Sequence, residues 1–189
     1  MTLEKLIDVE TFEQIAAQPE NRDRRLELID GEIVEKAMPT EQHGLYGGNL
    51  YVALAAFAHP RKLGRVTIET RYRSPDDPHN ALIPDISFSS AKRPLVAQGS
   101  VSGFPDLVVE VQSPDDSLKA LREKIRYYLK NGTHMGLLIL SDKRLIEVYT
   151  PRIELILTEK DTLTGGDVLP GFEIPVAAVF ADPLADTAE

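Results

Sequence analysis

Two carboxylates stand in stretches of chain that otherwise read as buried strand. Asp85 lies in Ile83-Pro84-Asp85-Ile86 and Glu110 in Val108-Val109-Glu110-Val111-Gln112, and both runs are short, β-rich and bounded by Pro, Ser or Gly. Removing an unpaired carboxylate from water costs on the order of several kcal/mol, so each acid needs a cation or strong donors. A metal ion would satisfy both together. Side chains alternate along a strand, which sets Glu110 and Gln112 on one face and Leu107, Val109 and Val111 on the other. Downstream, Lys124 falls at the edge of an apolar helical stripe beside Leu121 and Tyr128, while Lys119, Arg126 and Lys130 spread over the wet face. From there an ammonium reaches back over the preceding strand toward Glu110 and Asp85, where it suits a hydrolytic water or a scissile phosphate. The competing readings are a structural ion pair for the acids and, for Lys124, a stem that covers Tyr128 while its charge snorkels to water.

The elements that must position these groups follow from periodicity. Thr11 can cap a short helix carrying Phe12, Ile15 and Ala16, ended by Pro19. Leu26 to Ile29 and Glu32 to Glu35 flank Asp30-Gly31, a dipeptide suited to a two-residue hairpin turn. Helical spacing of Leu50, Leu54 and Phe57 predicts a helix from about His43 to Phe57, weakened by Gly47 and Gly48 and stopped before Pro60. Val66, Ile68, Thr70 and Tyr72 alternate with polar residues as one strand, and Ile83 to Phe88 and Leu107 to Gln112 read as central strands. Asp116 or Ser117 can cap a helix with Leu118, Leu121, Ile125, Tyr128 and Leu129 on one stripe, closed at Gly132. Met135 to Leu140 is an apolar strand, and Leu145 to Tyr149 with Ile153 to Leu157 a meander. The order is mixed α/β, with helices inserted into a largely antiparallel series.

Composition narrows the chemistry. The 189 residues fit one domain, 1–189, and the absence of cysteine excludes disulfides and thiolate metal sites, leaving hard cations held by oxygen or imidazole. Met1 to Lys5 mixes charged and apolar residues without the run that a signal peptide or membrane span needs, so a soluble cytoplasmic protein is expected. The formal charge of -9 opposes nucleic-acid binding, although acids clustered around a metal contribute to that total until cations bind.

Taken together, Glu27-Leu28-Ile29-Asp30-Gly31-Glu32, Pro84-Asp85, Pro105-Asp106-Leu107-Val108-Val109-Glu110-Val111, Ser113-Pro114 and Lys124-Ile125-Arg126-Tyr127-Tyr128 resemble the Uma-two family of endonucleases within the PD-(D/E)XK nuclease superfamily. The resemblance runs from about Val9 to Phe180, and the order and context of the motifs carry it rather than any one of them. It implies a restriction-endonuclease-like αβββαβ core of a mixed sheet, here with additional C-terminal antiparallel strands. It also implies Asp85 and Glu110 as metal ligands, with Glu27 as a further acid entering the site. The superfamily pattern places lysine at position 112, where this chain has Gln112; Lys124 matches relatives whose lysine has moved to the neighbouring helix. On this reading Mg²⁺, or Mn²⁺ in its place, bound by Asp85, Glu110 and Glu27 activates water against a DNA phosphodiester, with Lys124 positioning or deprotonating the water and Gln112 offering its amide or backbone carbonyl.

Several residues carry blander explanations. His43 is a phosphate or metal-shell contact or a helix N-terminal feature, and Asp115 and Asp116 read as capping acids. Lys119, Arg122, Arg126 and Lys130 track a nucleic-acid backbone or simply form a solvated helix face. The leading expectation is a DNA endonuclease acting as a homodimer, with no membrane contact; the alternative is a catalytically silent nuclease fold serving as a binding or assembly module, which Gln112 and the acidic charge favour.

Overall fold

A computed structural model of the protein describes residues 6–185, so the Met1 to Lys5 segment and the end of the tail lie outside the described residues. The amino-terminal hairpin forms as its pattern requires. β1 (Leu26–Ile29) and β2 (Glu32–Glu35) pair antiparallel around Asp30 and Gly31, whose φ angles of 50° and 82° are those of a two-residue turn. Before it, α1 (Val9–Ala16) begins earlier than Thr11, because Asp8 is the cap and its carboxylate accepts from the Thr11 N–H at 2.8 Å.

α2 (Glu41–Ala58) is capped by Thr40 and runs through Gly47 and Gly48 without a break. Packing overrides the weak propensity: Tyr46, Gly47, Leu50, Leu54 and Ala58 form its buried stripe. α3 (Leu118–Lys130) takes Ser117 as its cap, through Ala120 N–H at 3.3 Å, and ends before Gly132, whose φ is 102°.

The strands that lie between these helices depart from the expected pattern at two places. The alternation from Val66 to Tyr72 is not one strand. β3 (Gly64–Ile68) pairs with β6 (Ile86–Ser90), then Glu69 turns with φ of 45° and β4 (Tyr72–Arg73) joins β5 (Ala81–Leu82) in a different sheet. The Ile83 to Phe88 run divides likewise, since Ile83-Pro84-Asp85 carries the chain from β5 back to β6. The two-residue period survives the first crossing, from Val66 to Tyr72, so alternation alone does not mark the corner. The Glu69 N–H donates to the Asp85 carbonyl at 3.1 Å and ties the two crossings together.

One sheet has the order β2-β1-β5-β4-β7, where β7 is Val101–Ser102, and β7 runs parallel to β4. The larger sheet also contains β8 (Leu107–Val111), β9 (Met135–Leu140), β10 (Leu145–Tyr149) and β11 (Glu154–Leu157), in the order β11-β10-β9-β8-β6-β3. β8 and β9 are parallel, and α3 makes the crossover between them. Leu107, Val109 and Val111 join the core with α2, whereas Val108 packs with Ile125 and Tyr128 on the α3 side. Glu110 shares the Val108 face. Beyond β11 the sequence suggested no element; the chain forms β12 (Thr162–Thr164), β13 (Glu173–Pro175) and α4 (Val176–Val179), and Leu163, Phe172 just before β13, Val176 and Val179 complete the α2 core. No helix among the described residues is long and apolar enough to cross a membrane.

α3 packs on the sheet with Ile125 directly over Gly136, where a Cβ would stand 2.6 Å from Ile125 Cγ2. Ile125→Ala is expected to lower the unfolding free energy by about 2–5 kcal/mol in urea denaturation, the range for opening a cavity in a packed core. A second tie is charged. Arg122 Nε donates to Glu147 Oε2 at 2.9 Å, its Nη2 donates to Oε1, and Tyr149 OH donates to Oε2. The Arg122 bond, against burial and with help from Tyr149, holds the Glu147 carboxyl below the usual range. That stabilisation is full above the unfolded value of about 4.3 and is lost as pH falls through the lower folded value. Glu147→Gln should therefore melt below the parent at neutral pH, with the gap narrowing on acidification below about pH 4; a gap independent of pH would contradict this account.

Candidate active site

The corner between the two sheets is where the acids meet. Glu27, on β1, is 3% exposed; Asp85, in the crossing segment, is 8% exposed; Glu110, on β8, is 1% exposed, so all three are taken out of bulk water. Glu27 Oε1 accepts from the Ile83 N–H, which fixes the hairpin to the corner. Asp85 Oδ2 accepts from the Val111 N–H at 2.8 Å, ending β8 where its pairing with β6 stops at Ile86 and Val109. Three segments thereby hold three carboxylates together.

Two ammonium groups interleave with them. Lys124 Nζ lies 2.8 Å from Glu27 Oε1 and 3.0 Å from Glu110 Oε1. It also donates to the Ile83 carbonyl at 3.3 Å. Tyr128, one helical turn on, donates to Glu110 Oε1 at 3.1 Å. Lys36, just past β2, places Nζ 2.7 Å from Asp85 Oδ1, 3.0 Å from the Ile83 carbonyl and 3.8 Å from Glu110 Oε2. His43 completes the group: its Nδ1 is 3.0 Å from Ser113 Oγ and its Nε2 3.6 Å from Asp85 Oδ2.

These contacts set the protonation of the site. Burial would raise the Asp85 carboxyl, but the His43 imidazole and the Lys36 ammonium outweigh it and hold Asp85 well below the usual carboxylate range. Burial pushes Glu110 the other way, upward, with Asp85 and Glu27 adding like charge against the pull of both lysines. Burial would lower the Lys124 ammonium, yet Glu110 and Glu27 reverse this and keep it charged beyond the ordinary lysine range. Tyr128 is raised far above a free phenol, by burial first and then by Glu110. Two acids whose environments drive them apart are what acid–base chemistry uses.

A cavity of about 650 Å³ opens over this cluster between the hairpin and the amino-terminal half of α3. Acids outnumber Arg and Lys among its lining residues by eight to three. The sequence-derived residues Glu27, Asp85, Glu110 and Lys124 all line it, as does His43. Gln112 does not: its backbone N–H bonds Ile139 and its carbonyl accepts from Ser141, at the end of β8. Asp116 accepts from the Ser113 N–H at 2.8 Å in the turn before α3 rather than capping the helix. The basic face of α3 is largely neutralised, with Lys119 on Glu123, Arg122 on Glu147 and Arg126 on Glu154. Lys36 escaped the reading from sequence altogether. The available signal was charge balance, since three buried acids and one lysine leave two charges unmet.

Among the described residues, no group of three or more His, Asp or Glu side chains is arranged to hold a metal ion as it stands. The lysines occupy the space between the carboxylates. The donor chemistry nonetheless suits a hard cation, since Asp85, Glu110 and the Ile83 carbonyl already direct oxygens at one positive charge.

The family described as Uma2, "Putative restriction endonuclease", matches residues 9–177. The chain belongs to the Uma2 family. The structure of this Uma2 chain is also similar to a crystal structure described as a putative nuclease belonging to DUF820 from Anabaena variabilis ATCC 29413. The two align with a TM-score of 0.79 at 24% identity, over 92% of this chain and 97% of the other. That likeness establishes the mixed α/β fold. No curated protein matches the chain.

Lys124→Met, which removes the ammonium between Glu27 and Glu110, is expected to cost roughly 3–5 kcal/mol in denaturant unfolding, as for one partner lost from a buried pair. Combining it with Glu110→Gln should cost clearly less than the sum of the two single changes. Additive costs would mean that the lysine and the acid do not depend on each other.

Proposed function

We propose that this Uma2-family protein is a metal-dependent endonuclease that hydrolyses DNA phosphodiester bonds. The observation that carries the reading is the convergence of Glu27, Asp85, Glu110 and Lys124 from four separated segments on one cleft. Mg²⁺, or Mn²⁺ in its place, would be held by Asp85 and Glu110 with Glu27 alongside. When bound, the ion supplies Lewis acidity toward a phosphoryl oxygen and a water more acidic than bulk. The acidic lining supports this requirement, because a polyanion approaches such a cleft only when cations offset its walls.

The chain's own groups divide the remaining work. Asp85, held low, stays a carboxylate and keeps its ligand role across neutral pH. Lys124, held charged, acts by position and electrostatic attraction toward the phosphate rather than as a base. Glu110 would be the second carboxylate on the ion, oriented by the Lys124 ammonium and the Tyr128 hydroxyl. Gln112 contributes through the β8 terminus that it closes, since its amide cannot supply a charge. A homodimer would present two such clefts to the two strands of a duplex.

The alternative is a catalytically silent binding or assembly module, and one observation favours it: two lysines already neutralise most of the acidic cluster. Two measurements separate the readings. Mg²⁺ or Mn²⁺ should raise the melting temperature of the parent and leave Asp85→Asn unchanged. With metal present, the parent should cut a mixed pool of duplex, single-stranded and branched DNA, while Glu110→Gln and Lys124→Ala lose at least a hundredfold in rate, on the order of removing one acid–base or charge-stabilising group. A flat melting response with an uncut pool would favour the silent module.

A further inference from the structure

We propose that Lys36 is a tethered cation that occupies the metal seat, and that a divalent ion enters only by displacing its ammonium into the cleft. The inference rests on the metal-dependent reading above. Three oxygens of different origin surround Lys36 Nζ: Asp85 Oδ1 at 2.7 Å, the Ile83 carbonyl at 3.0 Å and Glu110 Oε2 at 3.8 Å. Two carboxylates and a backbone carbonyl are the ligand types that a hard dication takes. The ammonium stands among them, bonded to Asp85 and the Ile83 carbonyl and farther from Glu110.

Charge favours the exchange. Counting the carboxylates and the lysines, three buried acids against Lys36 and Lys124 leave one negative charge that no ammonium meets, whereas a dication in place of Lys36 brings that count to zero. Retaining both lysines beside the ion would overshoot to a net positive charge. An unmet buried charge is costly, so neutrality requires that one of the two ammonium groups leave when a dication enters.

Geometry selects Lys36 over Lys124. Lys124 bridges two carboxylates at 2.8 and 3.0 Å from a helix anchored by Ile125 and Tyr128. Lys36 touches one carboxylate closely, and it follows a hairpin strand whose neighbours Val34 and Glu35 are exposed. Its side chain is 16% exposed and lines the cleft, so its four-carbon stem has a path outward. Once released, its charge would lie on the wall past which a phosphodiester backbone runs. Metal entry then does two things in one step, filling the seat and adding a cation to an acidic surface.

The test is Mn²⁺ binding, followed by the electron paramagnetic resonance of the free ion, for the parent, Lys36→Met, Lys36→Gln and Asp85→Asn. Both Lys36 variants should bind Mn²⁺ at least tenfold more tightly than the parent, and Asp85→Asn should lose binding. Tightening in the Lys36 variants supports the inference even where the parent binds too weakly to measure. Equal affinity in the parent and both Lys36 variants, lost in Asp85→Asn, would overturn the displacement and leave the metal reading intact. No Asp85-dependent binding in any of the four proteins would overturn both. A second readout needs no substitution: acylation of the folded parent with an amine reagent, quantified by mass spectrometry against exposed Lys119. Saturating Mn²⁺ should raise the Lys36 modification rate at least fivefold, and an unchanged rate would overturn the displacement.

Discussion

Carboxylates crowded together out of water repel one another, and the fold around them is stable only if positive charge stands between. That constraint organises this protein. Glu27 comes from the hairpin, Asp85 from the corner, Glu110 from a central strand, and the lysines from the hairpin's end and the crossover helix. Each contact between them is therefore also a contact between elements distant in sequence. The Ile83 carbonyl, accepting from both ammonium groups, is the point at which the hairpin and the helix are tied to the same peptide. A cluster of this kind contributes little net stability over an apolar replacement, but it specifies which segments must meet.

Much of this was legible from residue types. Glu110 among valines announced its burial, and the stripe of α3 placed Lys124 beside Tyr128 on the side that faces it. The hairpin was readable because Asp30-Gly31 permits only a narrow set of turns. The two sheet crossings were not readable. Thr70 and Tyr72 continue the alternation of β3, and nothing in side-chain polarity records that Glu69 has turned the backbone into another sheet. Lys36 was hidden for a related reason. It follows an exposed strand, where a lysine needs no explanation, and its meaning depends on the corner that brings Asp85 beneath it. Gln112 shows the converse: parity set it beside Glu110, but the end of β8 uses its backbone and leaves its side chain off the cleft.

The two faces of the larger sheet carry different tasks. The α2 face is closed mainly by apolar groups, completed by the C-terminal β12, β13 and α4, and its polar exceptions lie at the rim, where the Tyr46 hydroxyl accepts from Gln42 and Arg144 and Asn49 donates to the Val179 carbonyl. On the α3 face, Ser87 with Tyr72, Glu147 with Arg122, and Glu110 with Lys124 alternate with apolar contacts. One side supplies the hydrophobic stability that lets the other hold costly charges. Such segregation lets the polar face change without disturbing what keeps the chain folded.

The glycine beneath α3 gives this arrangement a mechanical scale. A lysine's span is fixed by its carbon chain, so the height of its helix above the sheet decides whether its charge touches Glu110 or falls short. At Gly136 that height is set by a hydrogen atom where any other residue would carry carbon. The electrostatics at the middle of the helix thus inherit their tolerance from a position that bears no charge, makes no side-chain hydrogen bond and never meets the cleft.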